Sequence, residues 1–142
     1  MSGVLQRLVA CVLALSGLLA IGGCSSPLAA GDITTSLDTE FSSKALPAFA
    51  VSISGRTVAI TGGITTGFAC VTFSRTIAAS GSMLVATITT TDSPVACIGI
   101  LGQFAYTLTL GNVPRGTWGL RIDHRISNRG NETAYETTIT VR

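Results

Sequence analysis

The chain has 142 residues, 46% of them hydrophobic and 11% charged, with a formal net charge of +2. That length suits one domain with a tail rather than two independent cores, and an apolar content near the globular average sets intrinsic disorder aside. Nine Lys and Arg against seven Asp and Glu leave no electrostatic footprint for nucleic acid, which is excluded as a partner.

In chain order, the first segment is an address. Met1–Arg7 carries a single Arg, and Leu8–Ala20 then runs almost wholly apolar (LVACVLALSGLLA) before the small residues Gly22 and Gly23. This is the pattern of an export signal, too short for a comfortable permanent membrane span. No later stretch is long and apolar enough to be a transmembrane helix.

Ile21-Gly22-Gly23-Cys24 resembles the lipobox of bacterial lipoproteins: an aliphatic residue, two small residues, then the Cys that receives the lipid. Gly22 stands where that family usually has Ala or Ser. The resemblance covers the signal segment alone. It implies a signal peptide of residues 1–23, a diacylglycerol on the Cys24 sulfur, and anchoring to a bacterial membrane. Ser25 after the Cys implies the outer membrane where the host has one. Ordinary cleavage near Leu28-Ala29-Ala30 would instead discard Cys24, but Cys24 sits where the apolar run ends, which favours lipidation. Two or more acyl chains hold a protein stably, whereas one does not.

Residues 24–46 then read as the lipidated Cys and a flexible tether. Ser25–Leu46 is small, polar and without sustained period, so it is expected to behave as a coil. Phe41 and Leu46 are its candidate docking residues.

From Pro47 the pattern is β. Thr, Val and Ile abound, Gly punctuates, and no window of helical period appears. Candidate strands are Phe49–Ser54, Arg56–Thr61, Gly67–Arg75, Met83–Thr91, Ala96–Leu101, Gln103–Leu110, Trp118–Ser127 and Ala134–Val141. Alternation is clearest late in the chain. Phe104, Tyr106, Leu108 and Leu110 share one face, and so do Trp118, Leu120 and Ile122, and again Tyr135, Thr137, Ile139 and Val141. Turn signals at Gly62-Gly63, Ser80-Gly81, Asp92-Pro94, Asn112–Gly116 and Asn128–Asn131 separate the runs. Short strands at this spacing predict an all-β fold, a single antiparallel two-sheet sandwich over residues 47–142, with a small barrel as the alternative.

Leu110–Ile122 (LGNVPRGTWGLRI) resembles the run that carries immunoglobulin-like and fibronectin-III-like modules from one sheet to the other. Trp118 stands where that run has Tyr, which puts the hydroxyl-mediated corner bond in doubt. The resemblance implies the sandwich architecture and no named family.

Four cysteines occur, at 11, 24, 70 and 97. Cys11 lies in the signal segment and the lipobox resemblance assigns Cys24 to the lipid. Cys70 and Cys97 remain, and in an oxidising exported compartment they are expected to pair. Closing that loop is worth about 3.5 kcal/mol on the chain-entropy estimate. Two Cys and one distant His make a poor metal-ligand set, and the spacing is unlike a C-x-x-C redox pair.

Catalytic chemistry is thin. His124, the sole His, continues the inward series of Trp118, Leu120 and Ile122 as a partly buried or rim residue. It cannot pair with Asp123, because strand neighbours face opposite ways. No nucleophile elbow, zinc-protease motif or P-loop is present. Glu132 and Glu136 are placed to approach Arg121 or Arg125 across a sheet, and Asp92 to make a local turn bond. No catalytic, cofactor or metal residue is therefore expected. Arg115, Arg121, Arg125 and Arg129 concentrate positive charge and form a candidate patch for anionic lipid or acidic glycan, or else a charged sheet face that resists edge pairing.

These readings converge on a non-catalytic, lipid-anchored envelope protein, an interaction or structural module facing the extracytoplasmic space with an envelope protein as its partner. A glycan- or anionic-lipid-binding module is the second reading. A small envelope hydrolase is disfavoured by the missing nucleophile–base pair.

Overall fold

The computed structural model describes residues 32–93 and 99–142. The signal segment and Cys24 therefore lie outside the described residues. Eight strands follow in order: β1 (Thr34–Phe41), β2 (Ala50–Ser54), β3 (Thr57–Thr66), β4 (Val71–Ser80), β5 (Met83–Asp92), β6 (Gly102–Gly111), β7 (Gly116–Ile126) and β8 (Gly130–Val141). They form two four-stranded sheets, sheet A in the order β1-β6-β3-β2 and sheet B in the order β4-β5-β7-β8. The architecture is an all-β sandwich, and the sheets do not close into the alternative barrel.

Period-2 alternation decides the inside. Val58, Ile60 and Ile64 of β3 join Phe104, Tyr106, Leu108 and Leu110 of β6 in one core with Leu84, Ala86 and Ile88 of β5 and Trp118, Leu120 and Ile122 of β7. These four strands are the inner members of their sheets, so their apolar faces are covered along their length. Each fully buried Leu or Ile contributes about 1.5–3 kcal/mol.

Two hairpins turn on glycine. Gly55 and Gly81 occupy the first central position of two-residue loops with φ of 57°, as a type II′ turn requires. At the far side of the β6–β7 connection the indole N–H of Trp118 donates to the carbonyl of Pro114 at 2.9 Å. A bond from the Trp118 ring back to the preceding loop is thus made by an N–H in place of the phenolic hydroxyl.

Residues 34–41 are not tether: they are β1, paired antiparallel with β6 from Thr34↔Gly111 to Phe41↔Phe104. Ile33 is buried and Leu37 packs on the core, so a segment whose composition is polar is held by two apolar side chains and a ladder. Gly62-Gly63 is no turn but the middle of β3. A Cβ at Gly62 would come within 2.6 Å of the Phe49 ring, and one at Gly63 within 2.6 Å of the Leu46 Cβ. The glycines make room for the segment that leads into β2. The strand expected from Gly67 starts at Val71, because residues 67–70 pass from sheet A to sheet B. Half of the expected strand Ala96–Leu101 falls outside the described residues, and the other half, Gly99 to Leu101, is not strand.

One pairing departs from the antiparallel expectation. Of the described pairs, β5 and β7 run parallel, from Met83↔Gly119 to Thr89↔Arg125. Between them β6 crosses to sheet A, so the chain reverses twice before returning beside β5. The strand order is also distinct from the immunoglobulin arrangement, in which the first strand neighbours the second; here β1 neighbours β6.

The registers sort the connections into two ends. The start of β1, the hairpin turns at 55–56 and 81–82 and the loop 112–115 share one end. Arg56 ties that end together, donating to the carbonyls of Asn112 and Val113. The segments 42–49, 67–70 and 127–129 occupy the opposite end.

Candidate functional site

The chain's only imidazole lies in the core. His124 is 2% exposed, deeper than the partly buried or rim position its sequence suggested. It projects inward from β7 because it keeps step with Trp118, Leu120 and Ile122. From sheet A, Tyr106 of β6 reaches across, and its hydroxyl lies 3.0 Å from His124 Nε2. One hydrogen bond thus spans the two sheets.

The third member arrives through a β-bulge. The β7–β8 register shifts between Ile122 and Asp123: Ile122 faces Tyr135, whereas His124 faces Glu132. Without the shift Glu132 would share the outward face of Glu136. With it, Glu132 Oε1 comes within 3.7 Å of His124 Nδ1. Strand parity alone misplaces this residue, and only the register reveals it.

Aromatic rings close the site. Phe49 stacks flat on Tyr135, centroids 4.9 Å apart, and lies 6.2 Å from the His124 ring and 6.3 Å from the Tyr106 ring. Gly62 supplies the space it occupies.

The electrostatics follow from this burial. Loss of hydration pushes the Tyr106 hydroxyl well up from its ordinary range and holds the His124 imidazole below its ordinary 6.5, while Glu132 and then Asp123 oppose the second shift. A neutral imidazole with its proton on Nδ1, toward Glu132, leaves Nε2 to accept from the Tyr106 hydroxyl. The Tyr106 hydroxyl and His124 Nε2 then satisfy each other. Tyr–His–Glu is a proton-handling set of residue types, but here only Glu132, with a side chain 58% exposed, meets solvent. The Tyr106–His124 bond of this set binds the two sheets together.

The arginines do not converge. Arg121 and Arg125 share the outward face of β7, while Arg115 precedes that strand and Arg129 follows it. An eleven-residue strand separates the outer two by about 35 Å. Arg121 pairs with Asp123 on its own strand at 3.2 Å, rather than with a carboxylate of β8. Arg125 donates to the Asn131 side chain at 2.9 Å, and the Thr133 hydroxyl donates to Asp123 at 2.9 Å. Asp92, expected to make a local turn bond, instead accepts from Ser127 Oγ and Asn128 Nδ2, joining the end of β5 to the β7–β8 turn. Cys70 is disulfide-bonded; Cys97, its expected partner, lies outside the described residues.

Comparison of the chain with protein-family models, with curated proteins and with solved structures returns no match.

Proposed function

We propose that this protein is a non-catalytic, lipid-anchored component of a bacterial cell envelope, whose sandwich serves as an interaction or structural module in the extracytoplasmic space. The anchor part of the reading rests on Ile21-Gly22-Gly23-Cys24 after its apolar run. The non-catalytic part is carried by one observation: the sole imidazole is sealed under Phe49 and spent on the Tyr106 hydroxyl. Surfaces, not a cleft around a base, are then what the domain offers a partner.

The position of β1 sharpens this reading. Only nine residues lie between Cys24 and Thr34, ten steps of chain with a reach of at most about 35 Å. A lipid on Cys24 would hold the domain close to its membrane, with the 112–115 end nearer the anchor. A patch for anionic headgroups is less favoured, because the four arginines are dispersed and Arg121 is neutralised by Asp123.

Cell fractionation of Cys24→Ala with labelled fatty acid tests the anchor. The wild-type chain is expected to take up label and sediment with membranes, and the variant to lose both. A variant that stays membrane-bound overturns the anchor.

A further inference from the structure

The outer face of sheet A carries a groove of about 480 Å³. Its floor is made of small side chains in register, Thr107 opposite Thr61 and Ala105 opposite Gly63. Asp38 and Glu40 of β1 stand along one side, opposite Thr107 and Ala105. Pro47, from the segment that leads into β2, lines the groove as well. Gly63 shapes it: Leu46 beds down on the sheet where any Cβ would collide with it.

Its charge is one-sided. Asp38 and Glu40 are the only charged residues in the four strands of sheet A, and none of those strands contains Lys or Arg. Neither carboxylate has an ion-pair or hydrogen-bond partner among the described residues. Lys44 lines an adjoining hollow beside Glu40 without pairing to it. By contrast, the carboxylate of Asp123 on the outer face of sheet B is answered by Arg121. Two like charges on one strand face, in a chain whose net charge is +2, repel each other and draw in a cation.

We infer that this groove docks an extended segment of a partner polypeptide with lysine or arginine at alternate positions. Asp38 and Glu40 are two residues apart on one strand, hence about 6.8 Å apart along it, and alternate side chains of an extended peptide repeat at that same distance. The aliphatic stems would lie on Ala105, Pro47 and the methyls of Thr61 and Thr107 while the charged heads meet the carboxylates. This inference rests on the interaction-module reading and names its surface and the chemistry of its partner.

The test uses the full-length protein in detergent and a labelled Ala-Lys-Ala-Lys-Ala peptide, with the norleucine counterpart as control. Fluorescence anisotropy is expected to show the lysine peptide binding at least about tenfold tighter. Raising salt from about 20 to about 300 mM should weaken it. Asp38→Asn with Glu40→Gln is expected to weaken binding about tenfold or more, and so is Ala105→Trp, which fills the floor without changing charge. No binding, equal binding of both peptides, or survival of binding in either variant overturns the groove. Photo-crosslinkers at Thr107 and at Thr89 of sheet B in intact cells separate the two levels. Failure of the peptide with capture at Thr89 removes the groove and leaves the module reading; failure of the peptide with capture at neither position removes both.

Discussion

His124 is where a single residue matters most to this fold. Its Nε2 is buried and depends on one hydroxyl, so Tyr106→Phe leaves a ring nitrogen without a partner between the sheets. That substitution is expected to lower unfolding free energy by about 1–3 kcal/mol, read by urea denaturation. Combining it with His124→Leu should cost less than the sum of the two single changes, because the second removes the atom that the first orphaned. The same residue imposes a pH dependence of defined sign. Burial holds its folded-state pKa below the unfolded 6.5, so the unfolded chain binds the proton more readily. Stability from this group is therefore complete above about pH 6.5 and falls as pH drops toward the folded-state value. In Glu132→Gln, which removes the opposing carboxylate, the loss between about pH 6.5 and 5 should be larger, and in His124→Gln this component should vanish. Thermal melts across that range check both.

At the scale of the element, β1 and β3 show how context overrides composition. β3 carries a Gly pair at its centre, ordinarily a break, because Phe49 and Leu46 need the volume that side chains would fill. Gly62→Ala is expected to destabilise by about 1–3 kcal/mol through displacement of Phe49 from its stack on Tyr135. Near-ultraviolet circular dichroism should report the loss of that aromatic packing. β1 covers the open edge of β6. A chain shortened to begin at Pro47, the boundary that composition suggests, should aggregate or unfold, since it bares that edge and strips Ile33 and Leu37 from the core. One that begins at Asp32 should keep the assembly state and the melting temperature of the full chain. Size-exclusion chromatography and a melt on each chain decide this. Arg75 provides a complementary protection on β4, an outer strand of sheet B, by reaching the Thr35 backbone carbonyl and hydroxyl.

Across the whole molecule, what joins the sheets among the described residues is apolar area, one buried polar bond and the Arg75 bonds to Thr35. Cys70 belongs to the four-residue passage from β3 to β4 and is disulfide-bonded. Peptide mapping without reduction is expected to recover it joined to Cys97, and reduction should lower stability by about 2–4 kcal/mol. A different partner, or no change in the denaturation midpoint, would contradict that. The two outer faces differ in kind: one is a groove bounded by unpaired carboxylates, the other carries the Arg121–Asp123 ion pair with the Thr133 and Asn131 bonds beside it.

Much of this was legible in the chain itself. Period-2 alternation is a local property of side-chain direction, so the inward series of β6, β7 and β8, the sandwich class, the inward aim of His124 and most turn positions follow from composition read two residues at a time. The export and lipidation signals are linear too, and stand as expectations from sequence alone. What required the tertiary structure is whatever depends on a neighbour distant in the chain. β1 became a strand because β6 had an edge to fill, Gly62 and Gly63 stayed within β3 because Phe49 and Leu46 lie over them, and β5 met β7 in parallel because β6 left their sheet. The bulge in β8 shifted Glu132 by one position and so turned it from the solvent face to His124. A one-residue shift reverses every side chain beyond it, and no local signal in this chain records where that shift falls.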